Sequence, residues 1–238
     1  MEKHLNIPTS DGFEIQGILN WKKKSQKLLI FIHGLSWDMY ESHYYNAKEY
    51  FIERWYEVFR FNLYDGGEKN RKLAESSIST HSTDIEYVCE HLSQTYSSIS
   101  LISHSLGWPS VIWMKRLPQN IKKCIFWDPA FENTGIEKTF IKMWEVFLFL
   151  PKNGKALVVS EEMVQNRKED HIDTLKSFPF PYKNMFIVHA ENWGHLSTRI
   201  QTDILKIETY IIKGANHGFT QEGKYKELFE RTLEFIEK

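Results

Sequence analysis

Short, continuous apolar runs alternate along the chain with longer segments in which apolar residues recur every three or four positions. The runs predict β-strands buried on both faces, because such strands are apolar throughout rather than at every second residue. The predicted strands are Phe13–Leu19, Leu28–Ile32, Glu57–Leu63, Ser98–Ile102, Cys124–Trp127, Met185–Val188 and Ile207–Ile212. The periodic segments predict helices over Tyr45–Trp55, Thr83–Tyr96, Leu106–Leu117 and Lys224–Ile236.

This alternation of strands and helices predicts an α/β fold with a mostly parallel, doubly wound sheet covered by helices on both faces. The chain has 238 residues, which is enough for one domain with a sizeable core. The sequence has no repeat of the length that builds solenoids or propellers. We therefore expect a single domain over residues 1–238.

The alternation stops between Pro129 and Asn184. Its sequence predicts an aromatic-rich helical stretch, which is followed by a short apolar run at Ala156–Val159. The segment ends in a proline-rich sequence. An excursion of this length usually carries a function. We expect a cap insertion at about residues 129–184 that covers a substrate, and a small structural subdomain is the equally open alternative. The aromatic residues of the stretch are Phe140, Trp144, Phe147 and Phe149.

The net charge and the sequence of the first residues limit the kinds of molecule that the protein is expected to bind. Lys and Arg number 30 against 31 Asp and Glu, so no strong field attracts the chain to nucleic acid or to an anionic membrane. The first residues lack the apolar segment of a signal peptide. The longest apolar stretch, Met143–Leu150, is far shorter than the roughly 20 residues of a membrane span. We expect a cytoplasmic protein that binds a small molecule.

Cysteine and histidine usage gives no sign of a disulfide framework or a metal centre. Cys89 and Cys124 are the only cysteines, and each lies inside a predicted regular element. The chain has ten histidines, but none falls in a zinc-binding spacing. We expect neither a metal nor a cofactor.

Reactive side chains follow three of the predicted strands. In open α/β sheets, ligands bind outside the carboxyl ends of the strands, where His33, Ser105 and His217 are expected to lie. Ser105 is the centre of Ser103-His104-Ser105-Leu106-Gly107, which has small residues two before and two after the serine, as a sharp strand-to-helix turn requires. On this pentapeptide alone, Ser105 is equally well explained as a nucleophile and as a helix N-cap.

The segments FIHGL, SHSLG and GANHGF, in this order and at these strand ends, resemble the α/β-hydrolase family. With the opening DGFEIQGIL and the position of the insertion, the chain is most similar to small serine esterases of the cinnamoyl-esterase and monoacylglycerol-lipase-like branches. The resemblance implies that Ser105 is the nucleophile and His217 the general base. It also implies that the N–H groups of Leu35 and Leu106 form the oxyanion hole, and that no cofactor takes part.

The sequence departs from the family pattern most clearly at the third triad member. Ser103 and Trp108 replace small residues that the family has around the nucleophile. More seriously, the turn after Met185–Val188 has no aspartate at the usual place and reads Ala190-Glu191-Asn192-Trp193. Two other carboxylates are candidates for the acid.

Asp128 and Glu191 are these two candidates. We favour Asp128, because it ends the strand that follows the nucleophile helix and so opens on the same edge of the sheet as Ser105. Some α/β-hydrolase branches place the acid after this strand. The alternative is that Asp128-Pro129 only begins a turn. Glu191 lies on the usual loop but two residues early.

These features predict a serine hydrolase that cleaves a carboxylic ester, or less favourably a thioester or amide, through an acyl-enzyme. The aromatic insertion favours a small apolar or aromatic substrate, with Trp144 and Phe147 as substrate-binding residues. The alternative is a non-catalytic ligand- or partner-binding protein on the same scaffold, which the missing acid makes plausible.

Overall fold

An eight-stranded sheet forms the centre of the computed structural model, which describes residues 1–65, 67–130, 140–144, 146–149, 156–169, 171–192 and 205–238. Its strands are β1 (Glu2–Pro8), β2 (Glu14–Asn20), β3 (Lys27–Ile32), β4 (Glu57–Phe61), β5 (Ser98–His104), β6 (Ile121–Trp127), β10 (Met185–Ala190) and β11 (Glu208–Ile212). Their order across the sheet is β1-β2-β4-β3-β5-β6-β10-β11. The pairs β1–β2 and β2–β4 are antiparallel, and the other five pairs, from β4–β3 to β10–β11, are parallel.

The sheet has helices on both faces, so the predicted fold class is confirmed. The six helices of the described chain are α1 (Ser42–Ile52), α2 (Ile78–Ser93), α3 (Gly107–Ile112), α4 (Glu161–Lys168), α5 (His171–Ser177) and α6 (Lys224–Ile236). Helices α1 and α6 pack on one face of the sheet through Phe51 and Phe229, and helix α2 packs on the other face through Val88. Two short 3₁₀ turns lie at Leu73–Glu75 and Tyr182–Asn184.

Strand β1 was not predicted, because it lacks the apolar run that marks the other strands. It is the edge strand of the sheet, and of its residues only Ile7 is buried. Helix α3 is shorter than the predicted Leu106–Leu117. It ends at Ile112, since the N–H groups of Lys115 and Arg116 donate to the Glu86 carboxylate instead of continuing the helical ladder.

The predicted helical stretch around Phe140–Phe149 is wrong. The segment forms two strands of a small antiparallel sheet, β7 (Phe140–Met143) and β8 (Val146–Phe149), to which β9 (Leu157–Val159) adds a third. Apolar residues occur on both faces of this sheet, so its sequence lacks the alternation that identifies a half-buried strand. We call these three strands the cap sheet.

The described part of the insertion also contains helices α4 and α5. Ile172 and Leu175 of α5 pack into the main core beside α3, whereas Met163 and Val164 of α4 pack with the cap sheet. None of the helices in the described ranges is long and apolar enough to cross a membrane.

Candidate active site

Ser105 lies on a sharp turn between β5 and α3. Its backbone is in the left-handed region, with φ at 52°, a conformation that non-glycine residues rarely adopt outside strained functional turns. The Ser105 N–H group donates to the carbonyl of Trp127 at 3.1 Å, which fixes the turn to the neighbouring strand β6. The serine is partly exposed, so its hydroxyl is accessible at the carboxyl edge of the sheet.

Two glycines allow the chain to pass close to this turn. A Cβ atom on Gly107 would lie 2.8 Å from the His33 carbonyl oxygen and 2.9 Å from that of Ile32. A Cβ on Gly34 would lie 2.8 Å from the Cβ of Ser105. Side chains at these positions would push strand β3 and the serine turn apart. Gly107 therefore provides the close helix-to-strand approach that the sequence pattern indicated.

His217 lies in the loop between β11 and α6, which we call the base loop (residues 213–223). The Ser105 Oγ–H group is 2.8 Å from His217 Nε2, and His217 Nδ1–H donates to Asp128 Oδ2 at 2.7 Å. The structure thus brings the three predicted residues into one continuous chain of hydrogen bonds. A nucleophile, a base and an orienting acid within hydrogen-bond reach are the geometric signature of a catalytic triad.

Asp128 directly follows strand β6 and is 1% exposed. Its Oδ1 accepts a hydrogen bond from the Ala190 N–H at 3.0 Å, while Oδ2 accepts from His217, so both oxygens have partners. The register explains the position: His104 on β5 pairs with Trp127 on β6, which places Ser105 and Asp128 at the same level on adjacent strands. Asp128 also has a left-handed backbone, with φ at 41°.

Glu191 is not brought to His217. It is exposed at the end of β10, and its Oε2 accepts from the N–H of Gly214 at 2.8 Å. Gly214, with φ at 70°, makes the turn at the start of the base loop. Glu191 therefore holds this turn rather than the histidine ring.

Leu35 and Leu106 lie on two loops that meet at the serine turn. The loop that carries Leu35 approaches the turn so closely that a Cβ on Gly34 would lie 3.3 Å from Leu106 N. Neither of the two N–H groups donates to another residue of the described chain. Free N–H groups on two adjoining loops next to a nucleophile can bind a developing oxyanion.

His33 stabilises the loop that carries Leu35. Its Nδ1–H donates to the Gly34 carbonyl at 2.8 Å, and its Nε2 accepts from the Leu63 N–H at 2.9 Å. Burial lowers the pKa of His33 to about 4, so the ring is neutral near pH 7 and keeps one nitrogen as donor and one as acceptor. His33 acts on the backbone of the site, not on the serine.

Aromatic rings pack beneath and beside His217. The His104 ring lies 4.5 Å from the His217 ring, and the His43 ring lies 4.9 Å from the His104 ring. Trp37 covers both of these buried histidines, at 4.7 Å from each, and contacts His217 at 6.1 Å. Sequence reasoning missed Trp37 and His43. Trp37 follows the FIHGL segment closely, but nothing in the sequence indicated that it reaches the base loop.

One face of the cap sheet packs beside the loops that carry Leu35 and Leu106. Phe140 and Phe147 belong to an apolar cluster that includes the side chains of Leu35 and Leu106. Trp144 differs from Phe147, because it occupies the turn between β7 and β8 and is 89% exposed. Of the two residues that the sequence proposed for substrate binding, only Phe147 is packed beside the serine turn.

Comparison of the coordinates with solved structures gives many similar folds at low sequence identity. The Est1E structure from Butyrivibrio proteoclasticus with bound ferulic acid is 20% identical, with a TM-score of 0.77, over 98% of this chain and 100% of that one. A putative hydrolase from Agrobacterium vitis S4 is 10% identical, with a TM-score of 0.78, over 99% and 98% of the two chains.

The esterase Pf2001 from Pyrococcus furiosus is 17% identical, with a TM-score of 0.73, over 100% of this chain and 92% of that one. No family model matches the sequence, and no curated protein matches it. The likeness therefore rests on structure, and it extends over nearly the whole length of each chain. This chain has the α/β-hydrolase fold.

Proposed function

We propose that this protein is a serine hydrolase that cleaves carboxylic esters through an acyl-enzyme. The observation that carries the proposal is the continuous chain of hydrogen bonds from Ser105 Oγ through the His217 ring to Asp128, at 2.8 and 2.7 Å. The fold allows other activities, so the proposal rests on the site rather than on the fold alone. The esterases among the similar structures support the same reaction class.

The reaction begins when Ser105 Oγ attacks the ester carbonyl carbon while His217 Nε2 takes the hydroxyl proton. The carbonyl oxygen becomes an oxyanion that the N–H groups of Leu35 and Leu106 stabilise. The imidazolium, paired with Asp128, then gives its proton to the leaving alcohol, and the acyl group remains on Ser105. A water molecule attacks this acyl-enzyme with His217 again as base, which releases the acid and restores Ser105.

The substrate is expected to have a small apolar or aromatic group next to the ester. Phe147 packs against an apolar cluster that contains Leu106, and Leu35 packs against the same cluster. An apolar group on the substrate would bury its surface against these side chains, with few polar demands. The ferulic acid that accompanies Est1E is an aromatic acid of this kind.

A set of p-nitrophenyl esters of increasing acyl length, together with an aromatic acyl ester, tests the proposal. Hydrolysis with saturation kinetics and labelling by a fluorophosphonate probe are expected. The position of the label identifies the nucleophile by peptide mass spectrometry. Folded protein that neither hydrolyses any ester nor takes the label would favour the ligand-binding alternative.

The pH profile of kcat/KM is expected to rise through one ionisation at near-neutral to mildly acidic pH and then level, because only neutral His217 can accept the serine proton. Other histidines near the site do not titrate there. Burial lowers the pKa of His33 to about 4 and that of His104 to about 3, so both are already neutral. Initial rates at low substrate concentration give the profile, and the fold is checked at each pH by circular dichroism. A flat profile would contradict base catalysis by histidine.

Phe147 and Trp144 provide a matched pair for substrate choice. Phe147→Ala is expected to change the ratio of kcat/KM between long and short acyl esters by about tenfold, the effect of losing part of an apolar pocket. Trp144→Ala should leave the ratio unchanged, since its ring is 89% exposed. Thermal unfolding separates selectivity from stability. A Phe147→Ala protein that loses stability with no change in selectivity would assign this ring to a structural core.

A further inference from the structure

We propose that His104 is a positioning residue that ties the serine turn to the base loop and so holds Ser105 and His217 at reacting distance. This inference rests on the proposed function, because it concerns how the proposed nucleophile and base are kept together. The mechanism above does not use His104.

One hydrogen bond carries the inference. His104 Nε2 lies 2.8 Å from the backbone carbonyl oxygen of His217. A carbonyl can only accept, so Nε2 carries the proton and donates. His104 also immediately precedes Ser105 in the chain. The His104 side chain therefore links the residue next to the nucleophile directly to the backbone of His217, which is 113 positions away in the sequence.

The base loop also makes other polar bonds. They run within the loop, from Asn216 N–H to Gln221 and from Thr220 N–H to Asn216, and to the end of β10, where Glu191 accepts from Gly214 N–H. They set the shape of the loop but do not connect it to the serine turn. The His104 bond does make this connection, because it joins the backbone of His217 to the last residue of strand β5.

Packing alone does not explain a histidine here. His104 is fully buried, and its Nδ1 atom has no hydrogen-bond partner among the described residues. A buried polar atom without a partner is destabilising, and a phenylalanine would fill a similar space without that cost. Burial keeps the ring neutral, with a pKa of about 3, so Nε2–H stays available as a donor and adds no charge beside His217.

His43 is the natural control for the effect of ring packing. Its ring lies 4.9 Å from the His104 ring, and it is equally buried. Neither of its nitrogens has a hydrogen-bond partner among the described residues. His43→Phe should therefore preserve the packing and remove no hydrogen bond from the site.

The experiment compares His104→Phe, His104→Gln and His104→Met with wild type and with His43→Phe. Phenylalanine keeps a ring and removes the donor. Glutamine places an amide N–H near the position of Nε2, and methionine has a similar length without any donor. The Gln and Met pair keeps the comparison available if the Phe variant does not fold. Each protein is checked by circular dichroism and thermal unfolding.

Two readouts are taken. The first is the kcat and KM for a p-nitrophenyl ester. A small displacement of the base from the nucleophile lowers the rate of the chemical step more than it weakens substrate binding. The Phe and Met variants should therefore lose about 10- to 100-fold in kcat at similar KM, and Gln should recover much of the loss. His43→Phe should remain close to wild type.

The second readout does not need a substrate. The proton that His217 shares with Asp128 gives a far-downfield NMR resonance while the pair is ordered. It should be lost or broadened in the Phe and Met variants and retained in wild type, His104→Gln and His43→Phe. If the protein hydrolyses no ester but the NMR resonance changes in this way, the proposed function is wrong and the positioning role of His104 is still supported. A folded Phe or Met variant with unchanged kcat and resonance would overturn the inference, as would equal losses in the Gln and Met variants.

Discussion

Replacing Ser105 with alanine is expected to lower kcat for ester hydrolysis by about a millionfold, the scale seen when the nucleophile of a serine triad is removed. The change deletes the Oγ atom that lies 2.8 Å from His217 Nε2, so no acyl-enzyme can form. The residual rate should be the slow attack of water on an ester held near the oxyanion N–H groups. Kinetics with a rapid p-nitrophenyl ester and a large excess of enzyme would measure this range.

The fold should survive Ser105→Ala. The serine is partly exposed, its hydroxyl bonds only to the His217 ring among the described contacts, and its backbone bond to Trp127 does not depend on the side chain. Ser103→Ala is a suitable control, because Ser103 is a buried serine two residues away whose hydroxyl has no partner in the described chain. The fluorophosphonate label should be lost from Ser105→Ala and kept in Ser103→Ala. If the pure Ser105→Ala protein hydrolyses esters as fast as wild type, Ser105 is only a structural residue of the turn and not the nucleophile.

The inner strands of the central sheet could be predicted from the sequence, because they are buried on both faces and so carry long apolar runs. Strands such as Leu28–Ile32 and Cys124–Trp127 were placed to within a few residues, and α6 has the predicted bounds. The spacing of small residues around Ser105 also reflects a steric requirement that operates in the chain itself. Gly107 shows this, because a Cβ there would strike strand β3.

The cap sheet could not be predicted in the same way. Trp144 and Phe147 belong to the segment that was predicted as helical, but a tight turn at Trp144 folds this segment back on itself, with φ at 52° for that residue. Tryptophan and phenylalanine do not predict such a turn, since both are more typical of regular elements. Contacts between distant segments decide the outcome here, and local periodicity does not report them.

The surroundings of the base were beyond sequence reasoning for a related reason. Trp37 contacts His217 from more than 170 positions earlier in the chain, and His43 contacts His104, both through packing that no local pattern encodes. The carboxylate was a closer case. Both Asp128 and Glu191 follow predicted strands, and only the register between β5 and β6 places one of them level with Ser105.

Asp128→Asn is expected to lower kcat/KM by about four orders of magnitude, the loss that the corresponding change causes in a serine protease triad. The Asn carbonyl oxygen can still accept the Ala190 N–H, so the end of strand β6 keeps its bond. The amide group would then face His217 Nδ1 as a donor. His217 would have to turn Nδ1 into an acceptor and place its proton on Nε2, where it can no longer take the proton of Ser105.

Glu191→Gln is the matched comparison, because it removes the other nearby carboxylate with an equally small change. Glutamine can still accept the Gly214 N–H, so the turn at the start of the base loop should remain and kcat/KM should change little. Both variants are measured beside wild type, with circular dichroism and thermal unfolding as checks of the fold. A large loss in Glu191→Gln with a small one in Asp128→Asn would move the acid to the β10 loop. Small losses in both folded variants would mean that His217 acts without a carboxylate partner, since neither amide can stabilise the imidazolium as an anion does.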